Sequence, residues 1–161
     1  MTLRRLLFAT DFSEASHAAR EHATELASRL GVELVLLHVF ERPFFIETGV
    51  SHRLQVHRDV EQWIRDVRTE AAQRLETLAG EIRARGLTVT TSFREGVAFV
   101  EILKAAEETG ADLIVLGTHG RTGLPHVLIG SVADRVVRQA PCAVLTVRLA
   151  RPPAGRQGGD A

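Results

Sequence analysis

Val32 to Phe40 is an apolar stretch with little alternation, which suits a strand covered on both faces rather than one half-exposed to water. Such a strand needs helices above and below it, and the chain supplies helical patterns in rotation with further apolar runs. Leu3 to Thr10, apolar from Leu6 to Ala9, stops at Asp11-Phe12-Ser13, where Asp11 or Ser13 can cap the next element. Ala15, Ala18, Ala19, Ala23, Leu26, Ala27 and Leu30 then recur at helical spacing until Gly31 closes the stripe.

After Phe40, Glu41 to Gln55 carries Pro43, Gly49 and no stable period, and reads as a long loop over the carboxyl end of the strand. From Val56 to Arg85 the positions Val56, Val60, Trp63, Ile64, Val67, Ala71, Leu75, Leu78, Ala79 and Ile82 step by three and four, predicting one amphipathic helix stopped by Gly86. Leu87 to Arg94, rich in β-branched residues, reads as a strand nearer an edge. A helix from Ala98 to Thr109 is expected to turn Val100, Leu103 and Ala106 inward and to end at Gly110. Leu113 to Leu116 is the next strand, Ser131 to Gln139 the last helix, and Ala143 to Arg148 the last strand.

The order is β-α-β-α-β-α-β-α-β. Strands separated by helices do not pair as hairpins, so the expectation is one α/β domain over residues 1–149: a five-stranded parallel sheet joined by right-handed crossovers, with helices on both faces. Beyond Leu149, residues 150–161 are rich in proline, glycine and arginine, with no apolar stripe, and read as a disordered tail. At 161 residues one full core is affordable, burying roughly 68–70% of the unfolded chain's surface.

Lys plus Arg number 20 and Asp plus Glu 20, so no global charge favours nucleic acid or an anionic membrane, and any bound phosphate needs a local site. The longest apolar runs fall far short of the roughly 20 residues of a membrane helix. A single cysteine, Cys142, and no signal pattern over Met1 to Asp11 point to the cytoplasm. Cys142 itself reads as a small buried hydrophobe. The histidines give no metal pair: His17 and His22 are five apart on a helix, off the spacing of a zinc site. Neither Ser13, Ser131 nor Cys142 has the elbow or partner pattern of a nucleophile.

The stretch Asp112 to Ser131 carries the chemistry. An apolar run ends at Gly117, glycines recur at Gly120 and Gly123, and Gly130-Ser131 opens a helix. A strand, a glycine-bearing loop and a helix start can hold phosphate through backbone N–H groups and the helix dipole. The same glycines serve equally as turn and cap residues, and Ser131 with Asp134 also reads as a helix cap. Arg121 is either the loop's cation for phosphate or a solvated charge. Neither a P-loop nor a dinucleotide fingerprint is present.

Ala9-Thr10-Asp11-Phe12-Ser13, Leu37-His38-Val39, Glu95-Gly96-Val97 and Gly117-Thr118-His119-Gly120 through Gly130-Ser131-Val132-Ala133 together resemble the universal stress protein family in its ATP-binding subclass. The resemblance spans Leu3 to Val147 and includes the spacing G-x2-G-x9-G-S. It implies a Rossmann-like fold akin to the adenine nucleotide alpha hydrolases, with strand order 3-2-1-4-5. Gly117, Gly120, Gly130 and Ser131 would cradle the ribose and triphosphate of ATP, with Thr118, His119 and Val132 in the same motif. Asp11 would face the adenosine and its magnesium ion, and the main chain of Val39 would read the adenine edge. The resemblance further implies a homodimer through the fifth strand. One departure stands out: Ala98 occupies a position where members commonly carry proline.

With no general base aimed at a γ-phosphate, the expectation is a nucleotide-dependent signalling protein rather than an enzyme, acting through a protein partner not named by the sequence. The alternative is a dimeric interaction module of the same fold that binds no nucleotide. An adenylyl-transfer enzyme would need an H-x-G-H or S-G-G-x-D loop after the first strand, and Ala9 to Ser13 has neither.

Overall fold

The computed structural model describes residues 3–42, 54–118 and 130–149. Five strands, β1 (Arg5–Thr10), β2 (Glu33–Phe40), β3 (Val89–Glu95), β4 (Leu113–Gly117) and β5 (Ala143–Val147), alternate with α1 (Glu14–Leu30), α2 (Leu54–Arg83), α3 (Ala98–Thr109) and α4 (Ser131–Gln139). All strand pairs are parallel and the sheet order is β3-β2-β1-β4-β5, as the family resemblance implies.

Strand periodicity sorts the core into two layers. Leu6 and Phe8 of β1, Leu34 and Leu36 of β2 and Val115 of β4 face α1 and α2, meeting Ala19, Ala23, Leu75 and Ile82. Leu7, Val35, Leu37, Ile114 and Leu116 point the other way, onto Ile102 and Ala105 of α3 and Ala133 and Val136 of α4. Alanines dominate the inward stripe of α1, so that helix lies close to the sheet. Gly31 and Gly110 end α1 and α3 in the left-handed conformation, as their positions predict.

Two stripes differ from expectation. In α3 the buried positions are Ile102, Ala105 and Ala106, while Val100 and Leu103 are half-buried, because the helix packs on the sheet and α4 together and its buried face is turned toward Ile102. Trp63 stays 48% exposed, since the buried line of α2 runs through Ile64, Ala71, Leu75, Ala79 and Ile82 and leaves Trp63 at its margin. Cys142 is half-buried rather than buried, and desolvation pushes its thiol pKa up. The tail at 150–161 and most of the 41–55 segment lie outside the described residues.

Asp112, in the turn before β4, ties the two central strands together at their start. Its Oδ2 accepts the N–H of Arg4 at 2.7 Å and of Arg5 at 3.1 Å, and those bonds hold its carboxyl below the usual aspartate range. A depressed folded pKa contributes stability that is present above the ordinary value and lost as the pH falls through the folded one. Asp112→Asn is therefore expected to melt below wild type near about pH 7 and to converge with it as the pH drops below the usual carboxylate range of about 4. Midpoints measured across that range check this; a constant gap at every pH would refute it.

The two sheet edges are unlike. On β3, Arg94 pairs with Glu108 at 2.5 Å and Arg68 pairs with Glu95, so charges line that edge. On β5 the residues are Ala143, Val144, Leu145, Thr146 and Val147, with no charge among them. An uncharged apolar edge invites pairing with another strand.

Candidate functional site

Because β1 continues to α1 on one face and β4 to α4 on the other, the carboxyl ends of these neighbours part, and a crevice opens between them. A cleft of about 430 Å³ occupies it. Asp11, Val39, Gly117 and Thr118 line it from the strand ends, and Gly130, Ser131 and Val132 from the start of α4. His119, Gly120 and Arg121 lie outside the described residues.

The turn after β1 is built around Phe12, which holds a left-handed φ of 62°. A non-glycine residue there costs of order 1–3 kcal/mol, and its surroundings over-determine it. The Phe12 N–H donates to Thr10 Oγ1 at 3.1 Å. Its ring lies 4.5 Å from the His38 ring and 4.5 Å from the guanidinium of Arg74. This reversal leaves Asp11 at the cleft wall, where its Oδ1 accepts both the N–H of Ser13 at 3.0 Å and its hydroxyl at 2.6 Å. Ser13, not Asp11, caps α1, its Oγ accepting the N–H of Ser16 at 3.2 Å. Asp11 braces the cap from outside the helix, which removes capping as the explanation of its acidic side chain.

Beneath Asp11 lies a buried polar layer; Thr10 and His38 stand in the motif stretches quoted above, which gave them no role, and Ser16 lies outside those stretches. His38, 2% exposed, donates from Nδ1 to the carbonyl of Thr10 at 2.7 Å, and Thr10 and Ser16 share a hydroxyl hydrogen bond of 2.6 Å. These three residues also line the cleft. Only the polar letters inside apolar runs could have signalled them. Val39 is half-buried rather than core, because β1 ends one register step earlier, at the Thr10–His38 pair, and leaves that side of β2 open to the cleft.

On the opposite wall, α4 begins at Gly130, whose φ and ψ of −65° and 156° make it the N-cap, and no side chain caps the helix. Ser131 is therefore the first helical residue, exposed and not the cap. Asp134 is the first residue to bond back within the helix, to Gly130 O at 2.9 Å, so the N–H groups of Ser131, Val132 and Ala133 stay outside the helical ladder. All three residues line the cleft, at the positive end of the helix dipole. The start of α4 is tied to the ends of β4 and β5: Gly130 N donates to Thr118 O at 2.6 Å, and Thr118 N to Val147 O at 2.9 Å.

Gly117 has a different reason to be glycine. A Cβ there would stand 2.8 Å from the carbonyl carbon of Ala15 and 2.9 Å from its oxygen, so the close approach is to α1 itself.

Glu41 closes the third side. Its Oε1 accepts the N–H of Ala98 at 2.7 Å, satisfying the start of α3, where Val97 has no side-chain cap to offer. A proline at Ala98 would have no N–H to donate, so the departure noted in the sequence is what lets Glu41 latch onto α3. Among the described residues no group of three metal-ligating side chains converges, and no helix is long and apolar enough to cross a membrane.

The universal stress protein family model matches residues 2–148, nearly the whole of this cleft-bearing domain. The chain belongs to the universal stress protein family. Universal stress protein MJ0531 of Methanocaldococcus jannaschii is 32% identical over 145 residues, 90% of this chain and 82% of that one. Universal stress protein MJ0577 of the same organism is 30% identical, over 90% of this chain and 94% of the relative. The solved structure of MJ0577 superposes with a TM-score of 0.80 at 28% identity, covering 94% of this chain and all of the other. A universal stress protein from Archaeoglobus fulgidus, solved in complex with dAMP, shares the fold at TM-score 0.61 and 21% identity, covering 91% and 99%.

Proposed function

We propose that this member of the family holds ATP, with magnesium, in the cleft between β1 and β4, and that it acts by holding the nucleotide rather than by consuming it. The observation that carries this reading is the uncapped start of α4: three amides outside the helical ladder face a cleft whose other wall is the Asp11 carboxylate. That donor set fits an anionic phosphate. Ser131 would add its hydroxyl to the phosphates, Asp11 would meet the adenosine and metal side, and the main chain of Val39, open on one edge, would meet the base. Magnesium is commonly held by one or two carboxylates together with substrate phosphates, which suits a cleft lined by the carboxylates of Asp11 and Glu41. The dAMP complex of the Archaeoglobus fulgidus protein shows this fold accepting an adenine nucleotide in that relative.

We read hydrolysis as slow or absent and the role as cytoplasmic signalling through a protein partner: the two described carboxylates of the cleft, Asp11 and Glu41, each already accept a backbone N–H, from Ser13 and Ala98. Protein purified from cells is expected to release adenine nucleotide on denaturation. Nucleotide-free protein that also fails to respond to added magnesium ATP would sink this reading in favour of a non-binding module of the same fold.

The uncharged edge of β5 supports assembly as a homodimer, two fifth strands pairing across a twofold axis. Val144→Asp, at a half-buried position on that edge, is expected to halve the mass seen by light scattering. A variant that keeps the wild-type mass would refute the assignment.

A further inference from the structure

On the face of the sheet covered by α1 and α2, a second crevice of about 290 Å³ opens between those two helices. Phe8, Phe12 and Leu78 make its apolar side, and Arg20 of α1 faces Arg74 and Glu81 of α2 across it. The two cations are not equivalent. Arg20 is engaged on every side: its Nη1 lies 3.4 Å from Glu81, its Nε 3.2 Å from Glu21 and its Nη2 2.6 Å from Nε2 of His17.

Arg74 is held differently. Its guanidinium stacks over the Phe12 ring at 4.5 Å, and among the described residues no carboxylate or hydrogen-bond acceptor meets it. Stacking uses the face of the guanidinium and fixes its plane, while the N–H donors around its edge stay available. An arginine held over an aromatic ring at the lining of a crevice that is apolar on one side is a preorganised receptor for a planar oxyanion. Glu81 close by sets the charge of the guest: it weighs against a dianion and leaves a single positive charge to be matched. The volume lies at the small end of the range of ligand pockets, roughly 300–1,000 Å³.

We propose that this crevice is a second ligand site, taking a small monoanionic carboxylate with an apolar body. The carboxylate is forked on Arg74, and the body lies against Phe12 and Leu78 with the Thr77 hydroxyl beside it. Thr10 and Ser16 are walls common to this crevice and the larger cleft. The proposal nevertheless stands on the α1–α2 crevice alone and does not depend on the nucleotide reading.

The test is a titration of the full-length isotope-labelled protein with benzoate, followed by amide chemical shifts, with uncharged benzamide and inorganic phosphate as controls. The expected result is saturable shifts at Phe12, Ser16, Thr77 and Leu78 with benzoate only. Arg74→Gln, at an exposed position, is expected to fold with a slightly lowered melting midpoint, for the lost stack on Phe12, and to weaken benzoate by about tenfold or more, the scale of a lost charged hydrogen-bonded pair. Arg74→Lys should fall between the two, and Glu81→Gln should tighten binding. The proposal is overturned by the absence of saturable shifts, by an equal response to benzamide or to phosphate, by an Arg74→Gln variant that binds as wild type does, or by shifts centred on Gly117 and Gly130 to Val132 instead.

Discussion

Magnesium ATP at a hundredfold excess over its dissociation constant is expected to raise the thermal midpoint by about 5–11 °C. A ligand that binds only the folded state contributes about 2.7 kcal/mol at that excess, and a domain of this size gains about 2–4 °C per kcal/mol. Gly130→Val is the substitution that should remove the rise. The backbone at Gly130, with φ −65° and ψ 156°, is a conformation any residue adopts, and the helix it opens takes no side-chain cap from it. The variant should therefore fold, losing about 1 kcal/mol or less as a poor N-cap residue. Gly130 lines the cleft beside Ser131 and Val132, so an isopropyl group added there would crowd the space where the phosphates are proposed to lie. A Gly130→Val protein stabilised as much as wild type would remove the phosphate site from the start of α4.

Gly117→Val is expected to damage the fold with no nucleotide present, lowering the midpoint by about 6–12 °C. The new Cβ would meet the carbonyl of Ala15 at 2.8–2.9 Å, and that neighbour is helix backbone, which does not rotate away as a side chain would. Overpacking typically costs about 1–3 kcal/mol, and displacing the first turn of α1 puts valine at the upper end. Gly117→Ala should shift the midpoint in the same direction by less. A Gly117→Val protein that melts as wild type does, losing only its response to nucleotide, would show that the glycine serves the ligand and not the helix. The two variants separate glycines that stand in one motif and look alike in the sequence.

Much of the architecture was legible because the signals are local. Unalternated apolar runs specify strands buried on both faces, stripes at three and four specify helices, and Gly31 and Gly110 end their helices as their places predict. Where the stripe alone was the guide, details moved. Trp63 belongs to the predicted stripe of α2 but lies 48% exposed, because it stands one residue, about 100° around the helix, from Ile64 on the buried line. The inward residues of α3 turned from Val100 and Leu103 to Ile102 and Ala105 for a related reason: a helix packed on a sheet and a second helix at once has its buried face set by both contacts, which its own stripe does not report.

The site divides in the same way. Its motif residues could be named from spacing, and those within the described residues gather at one cleft. Their jobs could not be read from spacing. Asp11 and Ser131 both looked like helix caps, yet the caps are Ser13 and Gly130, which leaves the carboxylate and the hydroxyl at the cleft wall. Thr10 and Ser16 meet across the turn from β1 to α1, but His38 reaches Thr10 only because β1 and β2 pair in register, Thr10 opposite His38. The same holds for Glu41 on the Ala98 amide and for Arg74 over Phe12, contacts between elements 57 and 62 positions apart. By itself, then, the sequence determined the order and kind of the elements and the family motif, since these depend on neighbours within a turn or two. Tertiary structure alone decided which glycine touches a helix, which acidic group is left over from capping and which arginine keeps its donors, because each depends on what a distant segment brings within a few ångströms.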